Sequence, residues 1–403
     1  MTETHTLTPE EMTAQNAAVL AEKTPAQLKQ LMAELQKAYL PTEEARCASD
    51  GWYWVRHHVK TRDEAAGADK SVMQFPAEPA LEAVWNVLQH SPSKLIVIAK
   101  SRQIMVSWAV ATKCVHLARF HPNRQIVWQT KKEDDAKDMV SYGSDRLDEA
   151  RMQFIESHLP GWMAKKRRFR DGQIIYDNGS KIVAVPEGGN QVRSKTTSLV
   201  VIDEAAFQEQ FRSALTAALP LLSKEARMIA VSTANGRNAF WEAYQKGVEG
   251  GRVIYSSRGV TIWENSETEV TSIRVHYTAF PDRDPQNADP EKAAIATSWR
   301  DKQRKRYLTQ NAWDQEMEIS FDVTQGKRVY PTFEESTHIL DPDNCDRYGC
   351  QTTPMRRRKL LRSWDFGWHH PAVIIGQVDT RDRLILYGEL QGADVDIDRF
   401  TQD

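Results

Sequence analysis

Cysteine is scarce: Cys47, Cys114, Cys345 and Cys350 are the only four in 403 residues. That is too few to staple a chain of this length, so stability must come from a packed core, as expected in a reducing cytosol. Long hydrophobic runs are also missing. The longest, such as residues 95–99 and 199–202, are strand-sized and far short of the ~20 apolar residues a membrane helix needs. The polar N-terminus gives no expectation of a secretory leader, and the sequon Asn178-Gly-Ser180 reads as a turn. Neither sign of charge dominates, with 53 Lys+Arg against 55 Asp+Glu and a net charge of −2. This balance argues against a histone-like binder and leaves local basic patches open. What is present, 40% hydrophobic and 27% charged residues, is the composition of a folding globular chain. At ~150 residues per domain, two or three domains are expected.

Thr8-Pro9-Glu10-Glu11 and Thr24-Pro25-Ala26-Gln27 each offer a capping hydroxyl, proline in the first turn and a carboxylate or amide three residues on, which predicts two helix starts. Leu28, Leu31, Met32 and Leu35 fall on one helical face. Residues 61–71, rich in Ala, Gly, Asp and Lys, read as a linker. From about residue 72 apolar strands alternate with helical stretches. Strands are expected at 95–99, 126–129, 181–185, 199–202 and 228–231, with a hairpin turn at Asp177-Asn178-Gly179. Because these runs are apolar on both faces, they predict a three-layer α/β domain. The more polar stretch 265–345, with a basic helical segment at 293–318, reads as a separate lid or connector. Three further strands, at 360–365, 372–378 and 383–390, begin a new domain and stop too soon to complete an α/β fold.

The strand at 95–99 runs into Lys100-Ser101-Arg102-Gln103-Ile104-Met105-Val106-Ser107 and then a helical stretch. Strand, loop and helix ending in a hydroxyl is the layout of a phosphate-binding loop: amides at the helix start cradle phosphates, a Lys neutralises them and the hydroxyl holds Mg²⁺. Against G-x-x-x-x-G-K-[ST], Lys100 replaces the first Gly, Met105 the second and Val106 the Lys. An ordinary polar strand-to-helix turn is the alternative. About 100 residues on, Leu199-Val-Val-Ile202 delivers Asp203 and Glu204. That is a Walker B layout, with Asp203 as Mg²⁺ carboxylate and Glu204 as base for the attacking water. A third strand leads into Ser232-Thr233-Ala234-Asn235-Gly236. Ser232, Thr233 and Asn235 there suit sensing or relaying loss of the γ-phosphate, the alternative being a simple Asn-Gly turn.

In this order, and joined by Gln315-Glu-Met-Glu-Ile-Ser-Phe321, Tyr330-Pro-Thr-Phe333 and Trp364-Asp-Phe-Gly367 with His370-Pro371, the motifs resemble the large terminase subunit of tailed bacteriophages. The resemblance spans about residues 72–403. Beyond the helical arm and linker read over 1–71, it implies a P-loop (ASCE-type) three-layer α/β ATPase core over 72–264, a lid over 265–354 and the start of an RNase H-like nuclease domain over 355–403. It also rationalises a Lys at the start of the loop, and it implies ATP and Mg²⁺ at the ATPase site. Arg193 matches the family's arginine finger, which would complete a neighbouring subunit's site; a DNA- or solvent-facing Arg193 is the alternative, and Arg102 competes as a finger acting in cis. Implied partners are double-stranded DNA, a portal protein, a small terminase subunit and a homo-oligomeric ring docked on the procapsid in host cytoplasm, with no membrane. Asp365 resembles the first carboxylate of a nuclease site that takes Mg²⁺ or Mn²⁺. The other ligands are expected downstream, so the chain reads as a nuclease-incompetent fragment; Glu389, Asp394, Asp396 and Asp398 are candidates by charge alone, and a solvated acidic loop is the favoured reading of them.

The resemblance implies DNA contact from at least one of three basic patches, each of which taken alone reads as a solvated face: Lys165, Lys166, Arg167, Arg168 and Arg170; residues 302–306; or Arg356, Arg357, Arg358 and Lys359. Cys345 and Cys350 near His338 lack the repeated pair of a zinc site. The rival functions are another ASCE-class translocase or helicase, which needs a second strand-plus-Asp-Glu element, and a catalytically degenerate DNA-binding docking protein, motivated by Met105 and Val106.

Overall fold

Thr24 opens the described chain with the reciprocal cap its sequence predicts, its hydroxyl accepting from Gln27 N–H while the Gln27 side chain accepts from Thr24 N–H. The computed structural model describes residues 24–62, 72–144, 149–188, 197–222, 226–322, 335–339, 351–365 and 371–392, with isolated positions between 341 and 349. The Thr8 cap and most of the expected linker lie outside them. Two units are distinguished, residues 1–325 and 326–403.

In the first unit, α1 (Pro25–Ser49) leads to α2 (Gly51–His58), which is capped by Asp50 and buries Trp52, Trp54 and Val55. A ribbon of β1 (Lys60–Arg62) and β2 (Val72–Gln74) precedes α3 (Pro79–His90). The five core strands follow near their expected positions: β3 (Leu95–Lys100), β4 (Gln125–Thr130), β7 (Lys181–Pro186), β8 (Leu199–Asp203) and β9 (Arg227–Ser232). Between them lie α4 (Val106–Phe120), α5 (Glu133–Val140), α6 (Arg151–Ser157), the hairpin β5 (Arg167–Arg170) and β6 (Gln173–Tyr176), and α7 (Phe211–Leu222). The chain continues through α8 (Ala239–Val248), β10 (Arg252–Ser257), β11 (Val260–Asn265), β12 (Val270–Val275), α9 (Pro290–Arg304) and α10 (Gln310–Glu316).

Ten strands form one sheet in the order β10-β11-β12-β3-β9-β8-β4-β7-β6-β5. It is parallel from β12 to β7 and antiparallel at both ends. Successive residues of β3 serve opposite faces, as strand geometry requires. Ile96 and Ile98 join a core with Trp54, Trp85 and Val110, whereas Leu95, Val97 and Ala99 join one with Phe211, Phe240 and Tyr244. The double-sided core expected from the apolar runs is therefore present, and the architecture is mixed α/β with helices on a parallel-rich sheet.

The boundary at 264/265 does not separate two modules here. β12 pairs in parallel with β3, Ile273 beside Ile98, and Trp313, Met317 and Ile319 lie in the same cores. The polar letters of β12 conceal this. Thr271 and Ser272 are fully buried because Thr271 bonds the Ser91 and Ser93 hydroxyls and Ser272 donates to the Tyr244 carbonyl at 2.6 Å. The basic helical stretch at 293–318 is likewise two helices, α9 and α10, rather than one.

In the second unit, β13 (Leu361–Asp365), β14 (Ala372–Val378) and β15 (Leu384–Gln391) form an antiparallel sheet after a short helix, α11 (Glu335–His338). The three expected strands are present.

Candidate nucleotide site

Because β3 is buried on both faces, its last residue, Lys100, emerges at the carboxyl edge of the sheet, where α/β proteins build ligand crevices. The loop that follows is held by main-chain and hydroxyl bonds to its neighbours. Ser101 N–H donates to the Val275 carbonyl at 2.9 Å, and Ser101 Oγ donates to the Met317 carbonyl at 2.6 Å while accepting from Tyr277 N–H. Arg102 N–H donates to the Glu316 carbonyl and its guanidinium lies 3.7 Å from the Glu316 carboxylate. Arg283 donates to the Gln103 carbonyl at 2.6 Å. Ser101 is thus a fully buried anchor rather than a phosphate contact, and Arg102 is engaged by Glu316.

Ile104 and Val106 turn into the core, so the loop offers a ligand its backbone there. Gln103 (φ 57°) and Met105 (φ 62°) adopt left-handed backbone. Met105 does so at the position where the phosphate-loop template places glycine, so the conformation is kept without the residue that adopts it freely. Among the described residues, no acceptor takes the amide N–H of residues 103–108. These are the unpaired donors of a helix start, which suit an anion.

The Ser107 hydroxyl donates to Asp203 Oδ1 at 3.2 Å, joining the loop to the end of β8 across 96 residues of sequence. Asp203 also accepts from Glu204 N–H at 3.0 Å. Its main chain is fixed by a buried relay in which Gln208 donates to the Asp203 carbonyl at 2.8 Å and accepts from Gln129 at 2.7 Å. Glu204 stands in left-handed backbone, φ 52°, directly after the strand, and its side chain is exposed.

Lys100, Ser107, Asp203 and Glu204 line one cavity of about 510 Å³ together with Arg62, Arg151 and Arg283. Burial lowers the pKa of Lys100, against the pull of Asp203 and Glu204. Burial raises Asp203, opposed chiefly by Lys100, and partial desolvation, helped by the adjacent Asp203 charge, raises the more exposed Glu204. The cavity therefore holds a carboxylate pair in reach of four cations, a charge pattern that fits a polyphosphate with a divalent ion. The three arginines were not legible in the sequence, since nothing in linear spacing brings β1, α6 and the 281–283 turn to one place.

Ser232, Thr233 and Asn235 do not line this cavity. Ser232 Oγ accepts from Ala206 N–H at 3.1 Å, and the Ala206 carbonyl accepts from Asn235 (2.9 Å) and Asn238 (2.7 Å). The residue two beyond Glu204 is thus gripped at both main-chain groups from β9 and the turn after it. Asn238 also caps α8 by accepting from Phe240 and Trp241 N–H. The motifs did not single it out, although Asn before a helical run is a cap signal.

No family model matches the chain. A curated relative, the Mu-like prophage FluMu protein gp28 of Haemophilus influenzae, is 27% identical over 186 residues, covering 42% of this chain and 34% of that protein. The chain thus matches about a third of that relative's length. Its structural neighbours include large terminases. The Thermus phage P74-26 large terminase ATPase domain shares 16% identity at a TM-score of 0.43, covering 61% of this chain and 94% of that one. The HK97 bacteriophage large terminase shares 11% at 0.45, covering 85% and 67%. The large terminase of a thermophilic bacteriophage in complex with ADP shares 9% at 0.42, covering 79% and 69%.

Arg193 lies outside the described residues. The 165–170 patch divides by the alternation of β5. Lys165 pairs with Glu44 at 2.6 Å, and Arg167 binds Glu156 at 3.0 Å. Lys166, Arg168 and Arg170 are exposed and carry the patch's available charge. In the second unit, Arg356, Arg357, Arg358 and Lys359 are all exposed, and Arg358 donates to the Val378 and Asp379 carbonyls at 3.1 Å. Asp365 ends β13, exposed, and Glu389 lies on the same face through the register Ser363–Ile374–Glu389. Among the described residues, neither belongs to a cluster able to hold a metal. Asp394, Asp396, Asp398 and Cys350 lie outside them, as do Phe366, Gly367 and His370. No described helix is long and apolar enough to cross a membrane.

Proposed function

We propose that this chain is an ATPase whose nucleotide site is the cavity between Lys100, Ser107, Asp203 and Glu204, and that it serves a DNA-packaging motor. The observation that carries the ATPase reading is the 3.2 Å contact of Ser107 with Asp203, a hydroxyl and a carboxylate delivered by different elements beside a lysine and the unpaired amides of a helix start. Ser107 and Asp203 would hold Mg²⁺, which when bound neutralises phosphate charge. The amides of residues 103–107 and Lys100 would bind the phosphates. Glu204, with its raised proton affinity, would accept a proton from the attacking water. Arg62, Arg151 and Arg283 supply positive charge from within the same chain, and Arg193 is kept as the group reaching a neighbouring subunit. The main-chain grip of Ser232 and Asn235 on Ala206 would transmit changes at Glu204 to β9 and α8.

The packaging role rests on the ordered motifs and on the exposed Lys166, Arg168 and Arg170, which suit phosphate contact without sequence preference. Double-stranded DNA, the portal, the small subunit, the ring and the host-cytoplasmic procapsid belong to this proposal. So does a nuclease role for Asp365 with Mg²⁺ or Mn²⁺ in a longer protein. Steady-state hydrolysis with and without DNA tests the core of the reading. Glu204→Gln should lose at least ~100-fold in rate while still binding nucleotide. Absence of DNA-stimulated hydrolysis in the wild type, at concentrations that allow assembly, overturns the motor reading.

A further inference from the structure

The nucleotide cavity lies at the carboxyl ends of β3 and β8. A second cavity, of about 460 Å³, lies where β8 and β9 begin, at Leu199 and Arg227. Among the described residues, its lining carries Lys113, His116, His121, Arg124 and Arg227, and no Asp or Glu. Lys113 is 8% exposed and, among the described residues, makes no hydrogen bond or ion pair; its contact of note is the Trp85 ring, 5.4 Å from Nζ. Buried charges in proteins are ordinarily paired, because an unpaired one is costly to desolvate. The other groups are also under-used. Among the described residues, Arg124 Nε and His116 Nδ1 are buried without hydrogen-bond partners, and the Arg227 guanidinium has one bond, to the Ser91 carbonyl. Burial and the neighbouring Arg227 charge hold Lys113 down at about 8, the consequence of crowding cations with no counter-charge.

We propose that this cavity is a second anion site that binds a phosphate group, free or carried on a small organic body. Two guanidinium groups and an ammonium around one space match the charge and acceptor count of phosphate. Leu88, Ile96, Leu199 and Ile229 give the remainder of the cavity an apolar wall for an attached body. Its size suits a small molecule and not a duplex. The inference is independent of the ATPase reading, since it shares no residue with that site.

The test uses the full chain carrying Lys100→Ala, which weakens the first site, in EDTA, with inorganic phosphate and adenosine monophosphate as calorimetric probes. Saturable binding of one equivalent is expected for at least one probe, with Lys113→Met or Arg124→Gln weakening it by about tenfold or more. The preferred probe identifies the source: equal affinity points to free phosphate, tighter nucleotide binding to an attached body. Phosphate should raise the melting temperature of the parent and not of Lys113→Met. Arg124→Gln alters a partly exposed side chain and keeps the test available if Lys113→Met does not fold. Binding that neither substitution weakens overturns the proposal. So does lack of saturable binding of both probes, including a case in which only duplex DNA binds in a Lys113-dependent way.

Discussion

Replacing Met105 by glycine and by alanine separates the backbone demand of the loop from its packing. Met105 sits at φ 62° and ψ 4°, and its carbonyl accepts the first bond of α4, from Ala109 N–H at 3.0 Å. An L-residue in that region costs roughly 1–2 kcal/mol. Both substitutions lose the same partly buried thioether, so the packing loss cancels between them. Alanine keeps the left-handed penalty. Glycine escapes it but carries about 0.5–1 kcal/mol of extra chain entropy. The balance leaves Met105→Gly more stable than Met105→Ala by about 1 kcal/mol, whereas at an ordinary helical position alanine wins by a similar amount. Urea unfolding followed by tryptophan fluorescence reads the difference as a shift in midpoint at unchanged slope. If alanine proves as stable as glycine, the loop does not hold the left-handed geometry, and the phosphate-loop argument fails with it.

Glu156 is buried, both its carboxylate oxygens accepting from Arg119 Nη1 (3.1 and 2.9 Å), with Arg167 and the Tyr176 hydroxyl as further partners. Glu156→Ala strands two cations, and thermal or urea unfolding should show a loss of about 3–5 kcal/mol. At Glu43, burial favours the neutral acid, but hydrogen bonds from His58, Tyr39 and Tyr53 outweigh it and hold the carboxyl at about 2, below its ordinary 4.5. A depressed carboxyl stabilises above its unfolded value and loses that contribution as pH falls from 4.5 towards 2. The acid limb of stability should therefore flatten in Glu43→Gln, measured by melting temperature against pH. Alanine at Arg168 and Arg170 should weaken duplex binding and reduce its salt dependence without lowering the melting temperature, whereas Arg167→Ala should lower it; binding titrations at two salt concentrations with matched melts distinguish the two.

Where one pattern saturates its neighbourhood, the sequence suffices. The five core strands, the Thr24 cap and the pair Asp203-Glu204 follow from apolar runs and capping chemistry, because these are local or near-local preferences. Lys100 and Ser107 were legible for the same reason, as residues flanking a strand-to-helix turn. Tertiary structure alone decided which polar residues were buried and what met across the sheet. Thr271 and Ser272 look like lid surface in the sequence, yet their hydroxyls find acceptors inside, which places β12 beside β3. The 165–170 run looks like one basic patch, yet strand alternation gives Arg167 to Glu156 and leaves Arg168 and Arg170 outside. Arg62, Arg151 and Arg283 share a cavity, and Lys113 meets no counter-charge among the described residues, only because distant elements converge. Periodicity fixes the face a residue takes within its own element. Partnership across elements depends on long-range packing, which no local pattern encodes.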